Sequence, residues 1–154
     1  MSVRLRVIAF LMVLTIAGSL AGCSASKWVM KSGEDAVSSG VYLGYLLEAY
    51  LEAYNKSDTS KDLLTQKIEE KPAADWIVNK AKVFSKTYLA VEQKMKELNL
   101  SLTEEDKTNI ENQVNSFWTQ YGSVYEDNGC SKASYTLIFT NSYKASKIFE
   151  KYYD

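Results

Sequence analysis

Three stretches of the chain repeat apolar residues in alternating steps of four and three. Ile77, Ala81, Phe84, Tyr88, Val91, Met95 and Leu98 form the first, and this spacing predicts a long helix with one continuous seam. Ile110, Val114, Phe117, Tyr121 and Val124 form the second; Tyr135, Ile138, Ser142, Ala145, Phe149 and Tyr152 form the third. The breaks between them carry stop and start residues. Asn99-Leu100-Ser101-Leu102 interrupts the first seam, and Thr103 then predicts an N-cap, with Glu104, Glu105 and Asp106 in a first turn where the helix dipole favours acids. Asn128-Gly129 predicts a left-handed C-cap and Ser131 the N-cap of the last helix. Pro72 suits the first turn of the long helix.

Upstream the pattern changes. Ser38-Ser39-Gly40 offers N-caps for a helix over about 38–55, apolar at Val41, Tyr42, Leu43, Tyr45, Leu46, Leu47, Ala49, Tyr50, Leu51, Ala53 and Tyr54. Only Glu48 and Glu52, four apart, mark a polar face on it. A helix apolar nearly all round lies at the centre of a core or exposes a binding surface. Before it, Trp28-Val29-Met30-Lys31 and Ala36-Val37 flank Ser32-Gly33-Glu34-Asp35, the pattern of a small β-hairpin with a glycine turn. Residues 56–71 are polar and predict a loop with one helical turn around Leu63-Leu64. The expected fold is mainly α, a small N-terminal β-hairpin plus about four helices in a bundle.

The first residues do not fit this domain. Arg4 and Arg6 precede an apolar run over 7–21, broken only by Thr15, Gly18 and Ser19. A helix of that length rises roughly 22 Å against a hydrocarbon core of about 30 Å, so the run reads as a secretory signal instead of a span. It ends in Leu20-Ala21-Gly22-Cys23, which resembles the lipobox of bacterial lipoproteins, where a cysteine thiol takes the lipid and small residues precede the cleavage point. The expected division is a signal peptide at 1–22, a lipidated tether at 23–27 anchored through Cys23, and a helical domain at 28–154. From Cys23 to Trp28 the chain extends at most about 17 Å, which keeps the domain close to the outer face of the cell membrane.

Composition narrows the chemistry. The sequence has no histidine, and its cysteines are two, so histidine-based triads, papain-like sites and cysteine-rich metal centres are not expected; neither metal nor cofactor is. Removing 1–22 removes both arginines and leaves 16 lysines against 19 acids, a side-chain charge of −3 with no footprint for nucleic acid. The paired acids Glu69-Glu70, Glu104-Glu105-Asp106 and Glu126-Asp127 fall at expected helix ends or in loops, as solvated groups. Cys130, left as the single thiol once Cys23 is acylated, reads as structural. Tyrosine is the compositional oddity, at 11 residues. Tyr42, Tyr45, Tyr50 and Tyr54 recur along one helix and Tyr152-Tyr153 lie near the end of the sequence, and rigid amphipathic rings suit an aromatic surface that holds unfolded peptide.

Ser39-Gly40-Val41-Tyr42-Leu43-Gly44-Tyr45-Leu46, Asp75-Trp76-Ile77-Val78-Asn79-Lys80-Ala81 and Leu100-Ser101-Leu102-Thr103-Glu104-Glu105-Asp106 resemble the N-terminal chaperone domain of bacterial lipoprotein foldases of the SurA and PrsA kind. Asn128-Gly129-Cys130-Ser131-Lys132-Ala133-Ser134-Tyr135 is similar to that family's turn into its last N-terminal helix. The resemblance implies a SurA N-terminal-like bundle that binds unfolded or secreted polypeptides outside the cytoplasm. In such foldases a parvulin-type peptidyl-prolyl isomerase domain follows where this chain stops, so isomerase activity is not expected and no catalytic residue is carried over. A stand-alone chaperone module, an adaptor lipoprotein docking one fixed partner and a truncated isomerase remnant all fit this pattern. Were the family's returning C-terminal helix missing, Tyr42, Tyr45, Leu46 and Tyr50 would stand uncovered, ready to bind peptide or form a homodimer.

Overall fold

The computed structural model describes residues 27–153. The expected signal peptide, Cys23 as the expected lipidation site and nearly all of the expected tether lie outside the described residues. Strands β1 (Trp28–Ser32) and β2 (Asp35–Ser38) form an antiparallel hairpin turned at Gly33, whose φ of 60° is the left-handed backbone that glycine adopts at no steric cost. Helix α1 (Ser39–Lys56) starts where β2 ends. Its N-cap is Ser38, whose hydroxyl accepts from the Val41 N–H at 3.3 Å. Helices α2 (Ala73–Glu97), α3 (Glu104–Asp127) and α4 (Lys132–Tyr153) complete a mainly helical fold of four helices with one small N-terminal hairpin, as the pattern of the chain predicts.

Helices α3 and α4 begin at the expected caps. Thr103 and Asp106 form a reciprocal capping box at the start of α3: Asp106 accepts from the Thr103 N–H at 2.9 Å, and the Thr103 hydroxyl accepts from the Asp106 N–H at 3.1 Å. Gly129 turns the chain at φ 80°, and the Ser131 hydroxyl accepts from the Ser134 N–H at the start of α4. Asn99, at φ 52°, ends the turn after α2, where Leu100 N–H donates back to the Met95 carbonyl.

The loop between α1 and α2 holds more structure than a helical turn. Leu63–Thr65 forms one 3-10 turn, and β3 (Lys67–Ile68) and β4 (Lys71–Pro72) then pair as a second, minimal hairpin. Pro72 therefore closes this hairpin and precedes α2, where the sequence suggested its first turn. Glu69 and Glu70 make the tight turn at φ 50° and 63°, positions that usually go to Asn or Gly. Tertiary partners hold it. Glu69 accepts from Lys56 Nζ at 2.7 Å and from Trp76 Nε1 at 2.9 Å, and Lys56 and Lys80 lie 4.9 and 5.5 Å from the Trp76 ring.

Helix α1 is the axis of the core, packed on α2 and α4, while α3 packs chiefly on α4. Close approach of α1 and α4 depends on two glycines. A Cβ on Gly44 would sit 2.5 Å from Ile138 Cδ1 and 3.0 Å from Cys130 Sγ, and one on Gly40 would strike the Ser134 hydroxyl. Between α3 and α4, Phe117 stacks on Tyr135 at 4.5 Å, and Tyr125 meets Tyr135 edge-on at 5.0 Å. Here the seam read from the sequence shifts by one residue: Tyr121 is exposed and Val124 half-buried, while Gly122 and Tyr125 are buried.

Candidate binding site

The aromatic face of α1 is not a surface. Tyr45, Leu46 and Tyr50 are 6%, 4% and 3% exposed, and Tyr42 is half-buried. The expectation that α1 lacks cover is therefore corrected, and the cause is visible. Tyr45 packs against the Phe84 and Tyr88 rings of α2 at 5.6 and 6.4 Å, while Gly40 and Gly44 admit α4 on the other flank. Two neighbours close on α1 without any returning helix. Burial raises the Tyr42 and Tyr45 hydroxyls above their ordinary pKa, which keeps them neutral.

The open apolar surface lies instead between α3 and α4. A groove of about 660 Å³ runs there, with Leu102, Ile110 and Val114 on one side and Ala133, Thr136 and Thr140 on the other. Lys107, Glu111 and Lys132 line its margins, so an apolar floor meets a charged rim of both signs. Lys132 is steadied by Asn115 Oδ1 at 2.6 Å. Such a groove takes an apolar side chain and lets the rim satisfy backbone groups beside it. Farther along α4, Phe149 and Tyr153 stack at 4.3 Å while remaining 60% and 75% exposed.

A smaller cavity, about 260 Å³, sits where α1, α2 and α4 meet, and Glu48 projects among its lining residues. The sequence paired Glu48 with Glu52 as a polar face. The structure separates them. Glu52 lies near the surface, 3.0 Å from Lys80 Nζ and 3.3 Å from Lys56 Nζ, and the Lys80 hydrogen bond lowers its pKa. Glu48 has no hydrogen-bond or ion-pair partner among the described residues, and burial pushes its carboxyl up to about 7. One acid inside an otherwise apolar stretch of helix was the available signal, and reading it as half of a solvated stripe missed it.

The remaining acids and the thiol do structural work. Asp106 is held down to about 2 by the hydrogen bond from the Thr103 backbone, and it also meets Tyr143 and Lys147 at 3.1 and 3.3 Å, which ties the start of α3 to α4. Glu104, Glu105, Glu126 and Asp127 are exposed, as are Glu69 and Glu70. Cys130 is fully buried against Gly44, and burial pushes its thiol up to about 11, away from the reactive thiolate. Among the described residues no three His, Cys, Asp or Glu side chains gather as metal ligands, and no helix is long and apolar enough to cross a membrane. No protein-family model, curated protein or solved structure matches the chain.

Proposed function

We propose that the chain is a lipid-anchored extracytoplasmic lipoprotein whose helical domain binds unfolded secreted polypeptides without turnover. The open groove between α3 and α4 is the observation that carries the binding half of this reading. It combines an apolar floor with a rim of mixed charge, which suits segments of varied sequence better than one fixed charged ligand. The lipobox-like Leu20-Ala21-Gly22-Cys23 supports the anchor, and a sequence without histidine favours holding over catalysis.

The test is the fluorescence anisotropy of several labelled, reduced and alkylated secreted proteins titrated with the full chain in nonionic detergent. Anisotropy rises for all of them. Ala133→Trp, which fills the groove from an exposed position on α4, abolishes the rise while far-ultraviolet circular dichroism stays unchanged. Flat titrations, or equal binding by Ala133→Trp, refute the proposal. Binding to a single client among unrelated ones replaces it with the adaptor reading.

A further inference from the structure

The groove leaves the Glu48 cavity unused, although that cavity has the makings of a specific site. Glu48 enters it from α1 beside Tyr45; α2 contributes Phe84 and Tyr88, and α4 contributes Tyr135 and Phe139. The rings that line the cavity fall in two groups. Tyr45 touches Phe84 and Tyr88 on the α2 side, and Tyr135 lies 6.4 Å from Phe139 on the α4 side. A carboxylate drawn partly out of water and without a partner favours a cation beside it. The nearby lysines pair with other acids: Lys80, which also lies 5.2 Å from the Phe84 ring, with Glu52 at 3.0 Å, and Lys144 with Glu92 at 2.6 Å. From these observations we infer that the cavity binds a small methylated ammonium ion free in solution, with Glu48 as its counter-ion and the surrounding rings as its cage.

Charge, size and lining agree on this class. Ring faces attract a diffuse cation, and a methylated ammonium needs no hydrogen bond from Thr87, Asn141 or Ser142, which also line the cavity. Of these, Asn141 already donates to the Tyr88 carbonyl and to Glu92, and Ser142 to the Ile138 carbonyl. A metal ion would need several oxygen or nitrogen ligands, and one carboxylate does not provide them. At about 260 Å³ the cavity lies below the range of roughly 300–1,000 Å³ typical of drug-sized ligands, which leaves room for a small one. Glu92, paired with Lys144, is still close enough to raise the Tyr45 and Tyr88 hydroxyls, after burial as the larger cause. The other titratable groups within electrostatic reach of Glu48 are Tyr125, Tyr135 and Cys130, all pushed up and neutral at ordinary pH. Glu48 is thus the group whose ionisation tracks ligand binding.

The experiment is isothermal titration of the full chain, in nonionic detergent, with choline and separately with its neutral isostere 3,3-dimethylbutan-1-ol. Choline binds, and the isostere binds at least about tenfold more weakly because it lacks the charge. Glu48→Gln weakens choline by a similar factor, whereas Glu52→Gln, outside the cavity, leaves it unchanged. The unmodified chain supplies a readout that needs no variant: choline affinity falls about tenfold or more from about pH 8 to about pH 5.5, as Glu48 takes up a proton. Absence of choline binding overturns the inference, and so does equal binding of the neutral isostere or an affinity indifferent to pH. Failure of the α3–α4 groove to hold polypeptide leaves this result untouched, because the two sites share no residue.

Discussion

Glu48→Gln in the unliganded protein turns the half-buried carboxyl into a measurable free energy. Its pKa rises from an ordinary 4.5 in the unfolded chain to about 7 in the fold. Below about pH 4.5 both states carry the proton and Glu48 adds no pH dependence. Between the two values the folded state binds the proton and the unfolded state does not, so stability falls as pH rises. Above about pH 7 the fold must hold a partly desolvated carboxylate, and the accumulated loss is at most roughly 3 kcal/mol. Glutamine has the shape of the protonated acid and never ionises. Its cost or gain relative to the neutral acid is constant with pH, so the informative quantity is the change in the variant's relative stability between about pH 4.5 and about pH 8. That change is at most about 3 kcal/mol in favour of glutamine at the higher pH, read from urea unfolding followed by tryptophan fluorescence. Asp106 does not intrude, because its lowered pKa contributes stability that is lost only in stronger acid, as pH falls towards about 2. A variant offset by the same amount at both pH values refutes the reasoning and returns Glu48 to the class of solvated helix acids.

Gly44→Val places branched carbons against Ile138 and Cys130 and destabilises the protein by roughly 2 kcal/mol, seen as a lower urea midpoint; an unchanged midpoint shows that α1 and α4 do not depend on the glycine crossing. Glu70→Gly relieves a non-glycine residue at φ 63° in an exposed turn and adds about 1 kcal/mol, read as a higher melting temperature. Cys23→Ala leaves an unprocessed precursor that takes up no radiolabelled palmitate, and labelling that persists sinks the lipobox reading.

What the sequence made legible was local. The hairpin turn at Gly33, the cap at Ser38, the box at Thr103 and the reversal at Gly129 each depend on residues a few positions apart, and each stands in the fold where the pattern put it. The seam of α2 holds from Ile77 to Met95, whereas those of α3 and α4 slip: in α4 Asn141 is buried and Ser142, the position the repeat expects, is exposed. A strict four-three repeat drifts by about 20° per heptad on a straight helix, so the buried stripe of α3 reaches Tyr125 by its last turns and leaves Tyr121 in solvent. In α4 the repeat outlasts its neighbours. Lys147 still meets Asp106 near the start of α3, but Phe149 and Tyr152, the last positions of the repeat, are exposed. The Glu69-Glu70 hairpin escaped because no Asn or Gly marks its turn, and its support comes from Lys56 and Trp76, distant in sequence.

The misplaced binding face has the same origin. A run of tyrosines says that a helix is amphipathic in chemistry, yet whether the rings face water depends on how near the next helix can come. Gly40 and Gly44 decide that for α1, since bare backbone lets α4 close on the flank that the tyrosines seemed to leave open. The same closure carries Glu48 inward with Tyr45, one turn of helix away, and leaves it in the cavity among α1, α2 and α4. Two small residues therefore remove one candidate surface and create one candidate site. Gly44→Val is expected to disturb both the packing of α1 and the raised pKa of Glu48, because wedging α4 away admits water to the carboxyl. A lowered Glu48 pKa in that variant, measured by carboxyl carbon nuclear magnetic resonance, supports this coupling; an unchanged pKa in a destabilised but folded variant refutes it.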